Sequence, residues 1–267
     1  MLAIDADPQG DLSDSVDARQ EDVATTYEVM QRKANITDAI QHMAYFDIVA
    51  SNIQLAGIEP ELLGKSGGGH RLKEMLNPVI PEYDYIIIDT PPSLSLLTLN
   101  GIIAADEIIL PATPSKFAAK AIRYFYETVE ETRQYDNTHA IIRGVLVTRY
   151  NHYWSTHRDM RALICGVAEN FGIPVFDQFI RSSVQVEDAQ GKSMNLFDFK
   201  GRAPNSVAED YDHFIDAYIN HTPPVKDFNA FASSYLEQAK NATDENHAVA
   251  AKAKSSGTKK GRVNANA

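Results

Sequence analysis

Six short runs dense in isoleucine, valine and leucine, spaced by stretches of helical periodicity, constrain this chain more than any other feature. They are Leu2–Asp5, Tyr45–Ala50, Tyr85–Asp89, Glu107–Pro111, Ile141–Thr148 and Pro174–Ile180. Several are continuous and not alternating, the pattern of strands covered on both faces. Between them, Phe117, Ala121, Phe125 and Val129 recur every four residues, with Ile122 and Tyr126 beside them, which predicts a long helix over 115–134 with one buried stripe. Ala208 to Ile219 repeats the pattern through Tyr211, Ile215 and Tyr218. Alternating strands and helices predict an α/β fold built on a doubly wound, mostly parallel sheet.

At 267 residues the chain can bury a large core without disulfides or metal. Its single cysteine, Cys165, excludes an intrachain disulfide framework and fits a reducing compartment. No apolar run approaches the roughly 18 residues a membrane span needs. Net charge is −11, so contact with nucleic acid has to come from a local basic patch. The eight histidines are scattered and none pairs at metal-ligand spacing, which argues against a zinc site. Neither a nucleophile elbow nor a G-x-G-x-x-G after a strand occurs, so hydrolase and dehydrogenase readings have no support.

Two segments carry chemistry. Asp5-Ala6-Asp7-Pro8-Gln9-Gly10 comes directly after the first strand, and the strand Tyr85–Asp89 ends in a carboxylate followed by Thr90-Pro91-Pro92. In open α/β sheets ligands bind at the carboxyl ends of the strands. Carboxylates gathered there can hold Mg²⁺ through its waters, and the metal can neutralise phosphate charge. A single aspartate in such a place is often a helix cap; two such motifs in one chain are harder to dismiss.

With these residues in view, the chain resembles the ParA family of partition ATPases, in the deviant Walker branch of P-loop NTPases that also includes MinD. DADPQGD, from Asp5 to Asp11, is similar to the family's D-x-D-P-Q-G-N segment. The stretch from Tyr83 to Ser115 resembles the Walker B strand together with the helix and strand after it. Gly144–Asn151, Phe176–Phe199 and Ala208–Ile219 resemble the late strands, the I-R-x-S-V block and the terminal helix. The likeness covers about residues 1–222, and 223–267 would be a short helix over Phe228–Ala239 and a disordered basic tail. The D-P-Q-G form and the late block favour ParA over MinD.

The resemblance implies ATP and Mg²⁺ as cofactors, an ATP-dependent homodimer, non-specific DNA binding, a ParB-like centromere-binding partner and a cytoplasmic, nucleoid-associated protein with no membrane contact. Position by position, Asp7 matches the carboxylate that orients or activates the attacking water. Asp5 would support the Mg²⁺ shell, and Asp89 matches the Walker B aspartate that binds Mg²⁺ through water. Thr90, Pro91 and Pro92 would form the switch that reports the γ-phosphate, and Gln9 and Gly10 belong to the other switch. Arg181 matches an arginine implicated in DNA binding, and Lys200 and Arg202 fall near a second basic position. Thr148–Asn151 ends a strand where relatives contact the base, an assignment left open because MinD-type members carry Asn at the position of Thr148.

One part of the family pattern has no match. The phosphate-binding loop lies a strand and a helix before D-x-D, and only four residues precede Asp5. Gly64-Lys65-Ser66 and Gly191-Lys192-Ser193 end like a Walker A motif, but its first glycine would fall on Glu59 or Val186. The expected fold therefore lacks the family's first strand, phosphate loop and first helix. The chain as given is expected not to bind ATP normally, and to expose apolar strand edges along Leu2–Ile4 and Ile86–Ile88. Two explanations are expected: Met1 is an internal methionine of a longer protein, or the gene has decayed. The competing functional readings are a nucleotide-blind relative that binds DNA or a partner, and a non-functional fragment. The basic tail, with Lys252, Lys254, Lys259, Lys260 and Arg262, is either a solvated end or a weak attractor of polyanions.

Overall fold

A computed structural model describes residues 1–136, 139–199 and 206–220. In chain order its elements are β1 (Leu2–Asp5), α1 (Asp11–Ser15), α2 (Thr26–Met30), α3 (Ile36–Ala39), β2 (Ile40–His42), β3 (Asp47–Val49), α4 (Ile58–Leu62), α5 (Arg71–Leu76), β4 (Ile86–Asp89) and α6 (Leu96–Ala104). Next come β5 (Glu107–Ala112), α7 (Lys116–Asp136), β6 (Ile141–Tyr150), α8 (Ser155–Asn170), β7 (Val175–Arg181), α9 (Val184–Gln190) and α10 (Ser206–Ile219). All six expected strands form, within two residues of their expected ends. The seventh, β2, is three residues long and pairs antiparallel with β3, too short to carry a periodic signal. The short helix and basic tail expected after residue 223 lie outside the described residues, as do Lys200 and Arg202.

The strands form two ladders, β2-β3-β1-β4 and β5-β6-β7, parallel apart from the β2–β3 pair. Both are covered on two sides. Leu2, Ile4 and Val49 pack with α2 to α5 on one face of the first sheet, and Ala3, Ile48 and Ala50 meet Leu12, Val16 and Phe46 on the other. In the second sheet, Val145 and Val147 face α7 and α8, while Leu146, Phe176 and Ile180 face Val207 and Phe214 of α10. The continuous apolar runs are the result of this double cover.

Two expectations need correcting. Leu2–Ile4 is not an edge: β1 lies between β3 and β4, and Leu2 and Ile4 are fully buried. The open edge belongs to β4, where Ile87 is 52% exposed, as is Tyr85 just before it, and β5 likewise pairs on one side only among the described residues. The stripes on the long helices hold only in part: Ile122, Phe125, Tyr126 and Val129 of α7 and Tyr211 and Tyr218 of α10 are buried or packed on the core, and the remaining stripe residues are not. On α7 the buried residues are Ala119, Ile122, Val129 and Thr132, whereas Phe117 is 82% exposed and Ala121 is open to solvent. On α10 Phe214 and Ala217 are buried and Ile215 is exposed. A spacing of four drifts across a helix of 3.6 residues per turn, so a run of i, i+4 matches leaves the buried face within three turns.

The two ladders still present their carboxyl ends on one edge. After β1, Ser15 Oγ accepts from Gln190 Nε2, which lies beyond β7, at 2.8 Å. At the opposite edge, Tyr218 of α10 donates to Glu107 Oε2 at the start of β5 at 2.6 Å, and Tyr85, just before β4, lies close enough to act on it electrostatically.

Candidate active site at the carboxyl ends of β1 and β4

Parallel pairing fixes the site. The register places Leu2 opposite Ile86 and Asp5 opposite Asp89, so two strands end side by side in carboxylates. The Ala6 N–H donates to the Asp89 carbonyl at 2.8 Å, which extends the ladder one residue beyond the strands.

Asp5 is fully buried. Its Oδ2 accepts from the Ser13 N–H at 2.9 Å and from Ser13 Oγ at 2.6 Å, and its Oδ1 accepts from the Asp7 N–H at 3.1 Å. Burial pushes its carboxyl up, and these hydrogen bonds oppose the shift. Both oxygens thus serve the loop: Asp5 pins the first turn of α1 and the turn that carries Asp7. Three hydrogen bonds fall on its two oxygens, and any support it gives a Mg²⁺ shell would come mainly from holding the Asp7 turn in place. Thr26 locks the same corner from outside, donating from Oγ1 to the Asp5 carbonyl at 2.7 Å.

Asp7 reaches outward. Its Oδ1 accepts from the Gln9 N–H at 2.9 Å, and its carbonyl accepts from the Gly10 N–H at 3.0 Å, so Asp7 to Gly10 forms a tight turn into α1. Gly10 holds φ +68°, and a Cβ there would stand 3.0 Å from Gln20 Oε1 and 3.1 Å from the Ser51 carbonyl oxygen. Only glycine meets both demands comfortably. Gln9 is exposed on the outer side of this turn.

Asp89 is open to solvent on one side. Loss of water on its packed side, with the charges of Asp5, Asp7 and Asp11, pushes its carboxyl from 3.8 up to about 6, against one stabilising N–H from Thr90. The Thr90–Ser95 loop is anchored from below: Thr98 Oγ1 donates to the Ser93 carbonyl at 2.6 Å, and Gly101 lets α6 approach so closely that a Cβ would stand 2.7 Å from Thr90 Cγ2. Sequence reasoning missed Ser13, Thr26, Thr98 and Gly101 as supports. The faint signal for Ser13 was its position in the first turn after D-x-D-P-Q-G; the rest act through tertiary contact alone.

The donor set is all oxygen and its charge is uncompensated, which suits a hard dication held through its waters. Among the described residues no group of three or more potential ligands is close enough to coordinate an ion directly. Mg²⁺ therefore fits as an outer-sphere guest of Asp7 and Asp89, where it would lower the mutual repulsion of the carboxylates and neutralise phosphate. The groove beside the turn that follows Asp7 has an acidic lining. That groove, open beside Pro8 and Gln9 and about 1030 Å³ in volume, carries Glu21, Asp22 and Glu28 and no lysine or arginine. Neither Walker-like triplet helps. Gly64-Lys65-Ser66 lies in turns between α4 and α5, and Gly191-Lys192-Ser193 closes the end of α9.

Arg181 is the last residue of β7, in the other ladder. Its Nε donates to Asp210 Oδ2 at 2.6 Å and its Nη2 to Asp210 Oδ1 at 2.5 Å, a bidentate pair in which Asp210 is buried. The expected DNA-contacting arginine is thus also a clamp between β7 and α10.

A family model described as an AAA domain matches residues 1–142. A chromosome partitioning protein ParA of Myxococcus xanthus is 30% identical over 210 residues, 77% of this chain and 73% of that protein. The sporulation initiation inhibitor protein Soj of Bacillus subtilis is 32% identical over 207 residues, 76% of this chain and 81% of that protein. The chain belongs to the ParA family of P-loop ATPases. An uncharacterized protein of Mycobacterium tuberculosis is 33% identical over 189 residues, and this ParA-family chain spans 58% of its length. Among solved structures, the cobyrinic acid a,c-diamide synthase of Mycobacterium smegmatis with bound ADP and magnesium matches at TM-score 0.70 and 27% identity, over 84% of this chain and 85% of that one. McdA of Cyanothece in an ATP complex matches at TM-score 0.73 and 23% identity, over 81% and 84%, a likeness of fold.

Proposed function

We propose that this chain serves as the ATPase of a partition system for plasmid or chromosome DNA. In this reading it forms an ATP-dependent dimer, binds DNA without sequence preference and is regulated by a ParB-like partner. The observation that carries the reading is the register of Asp5 with Asp89, with Asp7 on the turn between β1 and α1. Relatives that are named for chromosome partitioning support it.

Asp7 would orient the attacking water, since its carboxylate uses one oxygen for its own turn and faces outward. Asp89 would hold Mg²⁺ through water, which supplies charge neutralisation at the transferred phosphoryl group. Asp5 would keep both in place. Gln9 and Gly10, and Thr90 and Pro91, form the two loops that border this carboxylate edge, where a change at one could be passed to the other through the Ala6–Asp89 hydrogen bond. Arg181, with Lys200 and Arg202, would attract DNA phosphate.

A second reading, a nucleotide-blind relative that binds DNA or a partner, draws on the acidic groove beside Gln9, which would repel a nucleotide's phosphates and leave any DNA to meet another face. The two part on one experiment. Protein purified from its own cells is tested for Mg²⁺-dependent ATP binding and turnover, beside an Asp7→Ala variant. The ATPase reading expects wild-type binding and turnover, and Asp7→Ala that binds but turns over at least about a hundredfold more slowly. Absence of ATP binding by the wild type rejects it in favour of the second reading, and normal turnover by Asp7→Ala rejects the role of Asp7.

A further inference from the structure

Away from the carboxylate edge, a pocket of about 470 Å³ opens between α2, α3 and α5. Its floor holds Arg71, which is 8% exposed. The Nε of that guanidinium is buried and has no hydrogen-bond partner, and among the described residues no carboxylate lies within ion-pair distance of Arg71. A buried cation without a counter-ion is costly, and arginines in such places are ordinarily met by a carboxylate or phosphate. Nothing in the ATPase reading uses this residue.

The rest of the pocket says which anion. Val29, Ile36, Met75 and Pro78 make an apolar wall, the first three of them buried against the core of the first sheet. Asn35 and Thr37 bring an amide and a hydroxyl to the mouth. At the rim Arg32, held at φ +62°, is ion-paired with Glu74. The lining thus carries two cations, Arg32 and Arg71, and one anion, Glu74, a net charge of +1 that a monoanion balances. A dianion would leave excess negative charge beside Glu74. The volume lies within the range of small-molecule sites, which are mostly apolar with a few convergent polar groups.

We propose that this pocket binds a small monocarboxylate with an apolar body, its carboxylate on Arg71 and its chain against Val29, Ile36 and Met75. The site is separate from the carboxylate edge, and its occupancy bears on how firmly α5 is held to α2. Arg71 offers two parallel N–H groups in a fixed fork, and a carboxylate presents two oxygens at matching spacing.

The test uses the full chain labelled with ¹³C at the methionine methyl groups, of which there are 6. The Met75 resonance is assigned through Met75→Leu. Sodium hexanoate is titrated at constant ionic strength, with hexylammonium chloride and inorganic phosphate as parallel probes. The proposal expects a saturable shift of the Met75 signal with hexanoate and none with hexylammonium. It expects binding at least about tenfold weaker in Arg71→Met, the loss typical of a charge-assisted contact. No saturable shift with hexanoate, an equal response to hexylammonium, or undiminished binding in Arg71→Met would each overturn it. Phosphate binding as tight as hexanoate would overturn the apolar body. Should Arg71→Met fail to fold, Arg71→Lys, which keeps the charge and loses the fork, is expected to weaken hexanoate, and the wild-type comparison of the three probes decides alone.

Discussion

The carboxylate edge predicts that removing one of its charges stabilises the protein. Asp89 is the residue to change, because its carboxyl is lifted to about 6 by lost hydration and by Asp5, Asp7 and Asp11. The folded chain therefore keeps a proton there that the unfolded chain releases near 3.8. Stability from this group is fullest below the unfolded value, falls as pH rises through about 6, and stays flat above. The full difference corresponds to about 3 kcal/mol. Asp89 is open to water on one side, and screening there reduces it to about 1 kcal/mol. Asp89→Asn keeps the shape and removes the charge. In chelator-containing buffer at pH 7.5 it is expected to raise Tm by about 2–4 °C, the equivalent of about 1 kcal/mol at this size. The same variant should flatten the decline in stability between pH 4 and pH 7. Millimolar Mg²⁺ should stabilise the wild type and have little effect on the variant. A variant no more stable than wild type at pH 7.5, with an unchanged pH profile, would refute the view that these four carboxylates repel one another.

Gly10→Ala forces a side chain into a left-handed turn against the Ser51 carbonyl and should cost about 1–3 kcal/mol in a urea melt. Arg181→Ala removes both guanidinium contacts from the buried carboxylate of Asp210, which keeps only the backbone N–H of position 181; with that guanidinium 40% exposed, the loss should be about 1 kcal/mol, and Asp210→Asn should restore part of it. Because of this clamp, a loss of DNA affinity in Arg181→Ala counts as a direct phosphate contact only if the slope of log affinity against log salt also becomes shallower by about one.

The strands were legible because β-branched apolar runs on a doubly covered sheet need no partner information to stand out; β1, buried on both faces, is the plainest case. The carboxylates at its end were legible from spacing. Their division of labour was not. Asp5 and Asp7 look equivalent in D-x-D, and only the fold shows that Ser13 takes up one of them while the other faces out. Helix existence was clear on α7 and most of its stripe packs on the core, but Phe117 does not, because aromatic residues mark a stripe in sequence whether or not anything packs on them. Which strands are neighbours was the least legible feature. Leu2–Ile4 was expected as an exposed edge because the family's first strand has no match here, and it is the interior of a ladder in the fold.

The break between β4 and β5 has a bearing on how the molecule opens. No backbone ladder bond crosses it among the described residues; the halves are joined by α6 against α7 and by side-chain bonds such as Gln190 to Ser15. Cooperative opening units tend to track such lines of weak connection. Native-state amide exchange should therefore sort the strands into two families, β1 and β3 in one and β6 and β7 in the other, with separate opening free energies and separate sensitivities to urea. A ligand at the carboxylate edge grips β1 and β4 alone, so it would slow exchange in the first family and leave the second nearly unchanged. A partner that fills the space between the free edges would instead merge the two families into one.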